Sequence, residues 1–296
     1  MANHQNYPIV LAHGIARFDF LLAHLLHTAD LFGLDLTLPT DGINYFKGIA
    51  RHLRDQGFDV YESNVSFAAP VARRAEDLRG EVNKVLTLKQ SAKVHIIAHS
   101  MGGLDARHMI ATLEMADKVA SLTTIGTPHN GTSFADWGIK NGGSALIESL
   151  KNVLDIAGLQ DLTTAACAAF NQSAESAEAQ NEVSYQTYAS AEEKASVFSL
   201  LQESWQIIHD AGEGDNDGLV PVTSQQWQAQ LRRADGTTKT IRQNPFPVPA
   251  DHLNEIGWWD LQEIQRMGGL SLSLLSKIKE YELSIRNVYL DIARNL

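Results

Sequence analysis

Lys93-Val94-His95-Ile96-Ile97-Ala98-His99-Ser100-Met101-Gly102-Gly103-Leu104 is the stretch whose reading decides the fold. Its first half is an apolar run suited to a buried strand; its second half opens a helical spacing continued by His108, Ala111 and Met115. Between the halves, Ser100 stands two residues from Ala98 on one side and from Gly102 on the other. A serine in a strand-to-helix turn sits on strained backbone, where larger flanking side chains collide with neighbouring main chain. The turn also aims the first amides of the helix at the serine, so developing negative charge meets oriented N–H groups. A small-x-Ser-x-Gly match is common by chance, but between a strand and a helix it reads as a nucleophile elbow.

Upstream, Tyr7 to Ala12 is another buried strand, ending at His13-Gly14. Phe46, Ile49, Ala50 and Leu53 keep a helical period closed by Gly57, and Phe58 to Tyr61 reads as the next strand. Ala75, Leu78, Val82, Val85 and Leu86 mark a helix whose other positions are filled by charged residues. Downstream, Val119 to Ile125 is a strand stopped by Gly126. This alternation predicts the α/β class, a mostly parallel sheet with helices on both faces. From 131 to 206 the composition shifts to Ala, Ser, Asn and Gln, which predicts a mostly helical cap or lid inserted into a core built from 1–130 and 207–296. Ile278, Tyr281, Ile285, Val288 and Ile292 predict a closing amphipathic helix.

Composition narrows the class of function. With 44% hydrophobic and 20% charged residues over 296 positions, the chain can bury a sizeable core, which excludes a disordered or fibrous protein. A formal charge of −11 repels phosphate backbones, so nucleic acid is not an expected partner. Cys167 is the single cysteine, so no internal disulfide can form. No run approaches about 18 apolar residues, and Met1 to Asn6 carry no basic leader signal, so a soluble chain without a transmembrane segment is expected. Whether it works in the cytoplasm or is secreted stays open.

An elbow needs an acid and then a base further along the chain. Asp217, in Gly214-Asp215-Asn216-Asp217-Gly218-Leu219-Val220-Pro221, lies on a turn-forming loop fit to present a carboxylate, with Asp215 and Asp210 as alternatives. His252, in Pro249-Ala250-Asp251-His252-Leu253-Asn254-Glu255, is the expected base, because an imidazole with a pKa of about 6.5 can take and return a proton near neutrality. Among eleven histidines the rival is His129, at a strand end, which would break the usual order; His99 adjoins Ser100 and should point away from it. The oxyanion hole is expected from the backbone N–H groups of Ile15 and Met101.

Residues 7 to 14, Phe18-Asp19, the elbow, Asn216 to Val220 and Asp251-His252-Leu253 together resemble the true bacterial lipases of the Pseudomonas, Burkholderia and Proteus type. These motifs fall in order across nearly the whole chain, and Leu162 to Asn171 resembles part of that family's cap. The resemblance implies the α/β-hydrolase fold and hydrolysis of carboxylic esters, often triacylglycerols, through an acyl-enzyme, with lipid interfaces as a contact surface. Polyester- or phospholipid-acting acylhydrolases with the same triad, and a non-catalytic binding protein on the same scaffold, are the competing readings. Those lipases commonly hold a structural calcium with an aspartate two residues beyond the catalytic histidine; here that position is Asn254, so neither a metal nor another cofactor is expected. The apolar stretch from Phe18 to Pro39 is a lid or cleft wall, an interface with another subunit, or an extra core helix hairpin.

Overall fold

The computed structural model describes residues 7–15, 45–66, 69–150, 156–259 and 272–296. The Phe18–Pro39 stretch, with His24 and His27, lies outside them.

Six strands form one sheet in the order β2-β1-β3-β4-β5-β8, every pairing parallel. They are β1 (Ile9–Ala12), β2 (Val60–Glu62), β3 (Val94–His99), β4 (Val119–Ile125), β5 (Ser184–Ala189) and β8 (Arg242–Pro245). Strands β6 (Gln230–Arg232) and β7 (Thr238–Thr240) make a separate antiparallel hairpin. Side chains alternate between two cores, as the pleat requires: Ile9, Leu11 and Ile97 join one, while Val10, Ala12, Ile96 and Ala98 join the other. Helix α1 (Ile49–Asp55) packs on the first core with the C-terminal α9 (Leu272–Arg294). On the second face α2 (Val71–Lys89) packs against α3 (Met101–Thr112). The α/β expectation is met, with strand ends within two residues of the sequence reading. Among the described residues, no helix is long and apolar enough to cross a membrane.

The expected cap needs redrawing. Within it, the described residues form helices α4 (Ser133–Lys140), α5 (Ala145–Leu150) and α6 (Thr164–Gln180), with a 3₁₀ segment at Ile156–Leu162. Strand β5, however, lies inside 131–206 and occupies an interior position of the main sheet between β4 and β8. Its polar residues hid it: Gln186 is buried, and its Nε2 donates to Thr123 Oγ1 on β4 at 2.7 Å, so the sheet accepts this residue without the usual apolar run. The expected boundary at 206 also cuts through α7 (Gln202–Asp210).

The chain runs from β1 to β2 on one side and returns to β3 on the other, so the order reverses between β1 and β3. In open parallel sheets, ligands bind beyond the carboxyl ends of strands at such a reversal. Gly14 follows β1 there and Ser100 follows β3.

Candidate active site

Ser100 caps α3 with φ 57° and ψ −136°, a conformation that costs a non-glycine residue on the order of 1–3 kcal/mol. The surroundings enforce it. Ser100 N–H donates to Ile125 O at 2.9 Å, and Thr127 Oγ1 donates to Ser100 O at 2.8 Å. A Cβ at Gly102 would lie 2.5 Å from the Ala12 carbonyl oxygen, and one at Gly14 would lie 2.7 Å from Ser100 Cβ. Gly102 is therefore required by backbone contact, and Gly14 by the side chains of Ser100 and Tyr45.

Asp217, fully buried, gives Oδ1 to the N–H groups of Leu219 at 2.9 Å and Val220 at 2.7 Å, a turn built by its own side chain. Its Oδ2 accepts from His252 Nδ1 at 2.8 Å and from Gln225 Nε2 at 3.1 Å. A carboxylate can only accept, so the His252 proton sits on Nδ1 and Nε2 offers its lone pair to the Ser100 hydroxyl, 2.9 Å away. The His252 N–H also donates to Asp217 O at 2.9 Å, locking the two loops together. The three residues selected from the sequence thus meet in one hydrogen-bonded line. Asp215 is exposed, and Asp210, also exposed, accepts from Gln206. His129 is buried with its ring nitrogens taken up by Arg107 and Thr124 and its face stacked on Trp227, a loop-packing role.

Several residues that support the site have roles that the sequence pattern does not reveal. Gln225, in α8 (Val222–Gln225), ties Asp217 to the backbone of Ser190 and Val220. Beneath His252, the ring of His99 lies 4.6 Å away centroid to centroid. His99 Nε2 pairs with Glu255 Oε2 at 2.8 Å, and its Nδ1 with the Tyr45 hydroxyl at 2.7 Å. His99 does turn away from the serine, into this buried layer. Glu255 also accepts from Ser190 Oγ at 2.5 Å and stands 3.8 Å from His252 Nδ1. Burial and the Asp217 charge hold the Glu255 carboxyl well above the usual carboxylate range, while burial and the neighbouring His252 hold His99 well below the usual imidazole range. Asp251, pushed up to about 7 chiefly by burial, accepts N–H groups from Phe198, Leu253 and Asn254 and so staples the His252 loop to the 190–201 segment.

Among the described residues, His99, His252 and Glu255 bring ligand-type atoms within 4.8 Å of one another, all of them already spent on the hydrogen bonds above. Asn254 directs its amide inward: Oδ1 accepts from Asp251 N and Nδ2 donates to Trp258 O. Ser100 and His252 open on a cleft walled by Ile15, Phe134, Leu159, Leu162, Leu219 and Val220. Of the two expected oxyanion donors, Ile15 lines this cleft and Met101 follows Ser100 as the first residue of α3.

A strained serine at the reversal point of a parallel sheet, served by a carboxylate-held imidazole, defines the class of hydrolytic enzymes that work through a serine nucleophile. Residues 7–232 match the family described as alpha/beta hydrolase fold, and the chain belongs to that family. It is 30% identical over 284 residues to triacylglycerol lipase 2 of Saccharomyces cerevisiae, a match spanning 85% of this chain and 80% of that protein. A triacylglycerol lipase of Vibrio cholerae is 29% identical over 249 residues, spanning 74% of this chain and 73% of the relative. Lipase 1 from Pelosinus fermentans shares the fold with a TM-score of 0.59 at 18% identity, over 94% of this chain and 98% of that one. These matches establish the family at the level of the α/β hydrolases, a coarser level than the bacterial lipase group that the motifs resemble.

Proposed function

We propose that this serine ester hydrolase cleaves carboxylic esters with apolar acyl chains, acylglycerols foremost, in the manner of the bacterial lipases its motifs resemble. Ser100 Oγ attacks the ester carbonyl while His252 Nε2 takes its proton, and Asp217 keeps the ring in the required tautomer and balances its positive charge. The N–H groups of Ile15 and Met101 receive the oxyanion. His252 then gives the proton to the departing alcohol, leaving an acyl-Ser100 ester, and water repeats the sequence to free the acid. The observation that carries this reading is the unbroken line from Ser100 through His252 to Asp217, at 2.9 and 2.8 Å. The apolar cleft beside the serine supports an apolar acyl group, and the relatives named as lipases support the acylglycerol class. Every reacting group comes from the chain, so the reaction as drawn needs no cofactor.

The test is hydrolysis of p-nitrophenyl esters from acetate to palmitate, and of emulsified triacylglycerol, by the wild type and by Ser100→Ala. Turnover favouring longer chains and the emulsion, abolished in Ser100→Ala and accompanied by labelling of Ser100 with a fluorophosphonate, supports the proposal. Turnover confined to acetate, to a phospholipid or to a polyester replaces the substrate class. Substantial turnover by folded Ser100→Ala removes the mechanism.

A further inference from the structure

Arg74, in the first turn of α2, is fully buried although it lies among charged residues that suggest a solvated helix face. Its guanidinium is shared between main-chain carbonyls and the Asp105 carboxylate. Nη2 donates to His13 O at 2.7 Å and to Gly14 O at 3.3 Å, and Nη1 donates to Ser66 O at 2.8 Å. Nε and Nη2 also pair with Asp105 Oδ2, at 2.9 and 2.8 Å, across to α3. The Gly14 carbonyl has a second donor: Val65 N–H donates to His13 Nε2 at 3.2 Å, which places the His13 proton on Nδ1, 2.8 Å from Gly14 O.

The described chain contains no cis peptide, so the Gly14–Ile15 unit is planar and trans, with its C=O and N–H pointing in opposite directions. Clamping the carbonyl toward Arg74 and His13 therefore aims the Ile15 N–H to the other side. The serine is close by: a Cβ at Gly14 would stand 3.1 Å from Ser100 Oγ. A purely structural account of the ion pair is weak. Burying both charges is expensive, Asp105 Oδ1 has no hydrogen-bond partner, and apolar residues of similar volume commonly stabilise such a position as well or better.

We infer that Arg74 is a positioning residue for ester hydrolysis, fixing the Gly14–Ile15 peptide so that the Ile15 N–H meets the oxyanion formed at Ser100. The inference rests on the serine-hydrolase reading above and assigns to a side chain the aim of a donor that is itself main chain. Asp105 acts through Arg74, holding the guanidinium over the two carbonyls.

The experiment compares Arg74→Lys, Asp105→Asn and the apolar pair Arg74→Met/Asp105→Leu with the wild type, on a p-nitrophenyl ester and on the matching thionoester, with thermal unfolding measured alongside. Thiocarbonyl sulfur is larger and a poorer acceptor, so a well-aimed hole favours oxygen; the ester-to-thionoester ratio therefore reports aim. Removal of a whole oxyanion donor typically costs about 10²–10³ in kcat, so misdirecting one is expected to cost about 10- to 100-fold, with KM within about threefold. The expected result is that loss in Arg74→Lys and in the apolar pair, a smaller one in Asp105→Asn, and a compressed ester-to-thionoester ratio in each. Wild-type kcat in a folded apolar pair, or ester and thionoester rates falling by one common factor in Arg74→Lys, overturns the inference. If the apolar pair does not fold, Arg74→Lys and Asp105→Asn decide by the same ratio. A wild type without ester turnover overturns the functional reading instead, so the two failures are distinguishable.

Discussion

Replacing Asp217 by asparagine leaves the volume unchanged and removes one acceptor atom, and the site has no way to accommodate that. Oδ1 accepts two backbone N–H groups, from Leu219 and Val220, and Oδ2 accepts from His252 Nδ1 and Gln225 Nε2. An amide has one oxygen. With that oxygen toward the turn, the NH₂ group faces two donors, and the His252 proton must move to Nε2, where it blocks acceptance from Ser100. With the oxygen toward His252, the turn N–H groups are stranded in a buried setting. Each lost bond to a charged acceptor is worth about 1.5–3 kcal/mol, so the second orientation costs about 3–6 kcal/mol of stability. The first is expected to prevail and to lower kcat by about 10⁴, equivalent to about 5.5 kcal/mol in the barrier. Active-site-titrated kcat and the unfolding midpoint of Asp217→Asn check this together. A folded variant less than tenfold slower than the wild type would refute the assignment of Asp217 as the group that fixes the tautomer.

Other outcomes follow from the same geometry. Ser100→Gly and Ser100→Ala should both be inactive, yet the glycine variant should be the more stable by about 1 kcal/mol, because only glycine relaxes at φ 57°; equal unfolding midpoints would count against strain at the elbow. Gly102→Ala, driving a Cβ to 2.5 Å from the Ala12 carbonyl, should cost at least about 1–3 kcal/mol and most of the activity, read by urea unfolding and ester turnover. His129, held well below the usual imidazole range by burial and by Arg107, stays neutral when folded, so its contribution is present above pH 6.5 and lost as pH falls. Relative to wild type, His129→Gln should therefore gain up to about 2 kcal/mol between pH 7 and pH 5 in urea titrations; a pH-independent difference would sink that reading. Because Asp251 and Asn254 spend their polar atoms on Phe198, Leu253, Asp251 and Trp258, chelation with EDTA should leave activity and melting unchanged; a loss restored by calcium would show that the loop needs an ion.

Where the chemistry lies in consecutive residues, the sequence carries it. The elbow is legible because small residues, a strand and a helix all meet within a dozen positions around Ser100, and Asp217 and His252 follow from the chain order that such an elbow imposes. What holds those residues in place is written in pairs far apart along the chain: His99 with Glu255, Tyr45 with His99, Arg74 with the carbonyls of His13 and Gly14. Periodicity cannot detect such pairs, and it misleads where a polar residue is buried. Arg74 stands among the charged positions of a helix and is sealed in the core; Gln186 falls in the stretch expected to be cap and lies on β5, between β4 and β8 of the main sheet. Both placements have one cause. A buried polar group is tolerated once its hydrogen bonds are met, and whether they are met depends on a partner elsewhere in the fold. Close to the candidate site this holds for Arg74, which is bonded to the carbonyls of His13 and Gly14 in the turn that runs beside Ser100. The sequence therefore points to the candidate residues of the site, and long-range polar contacts written nowhere in consecutive residues hold them in place.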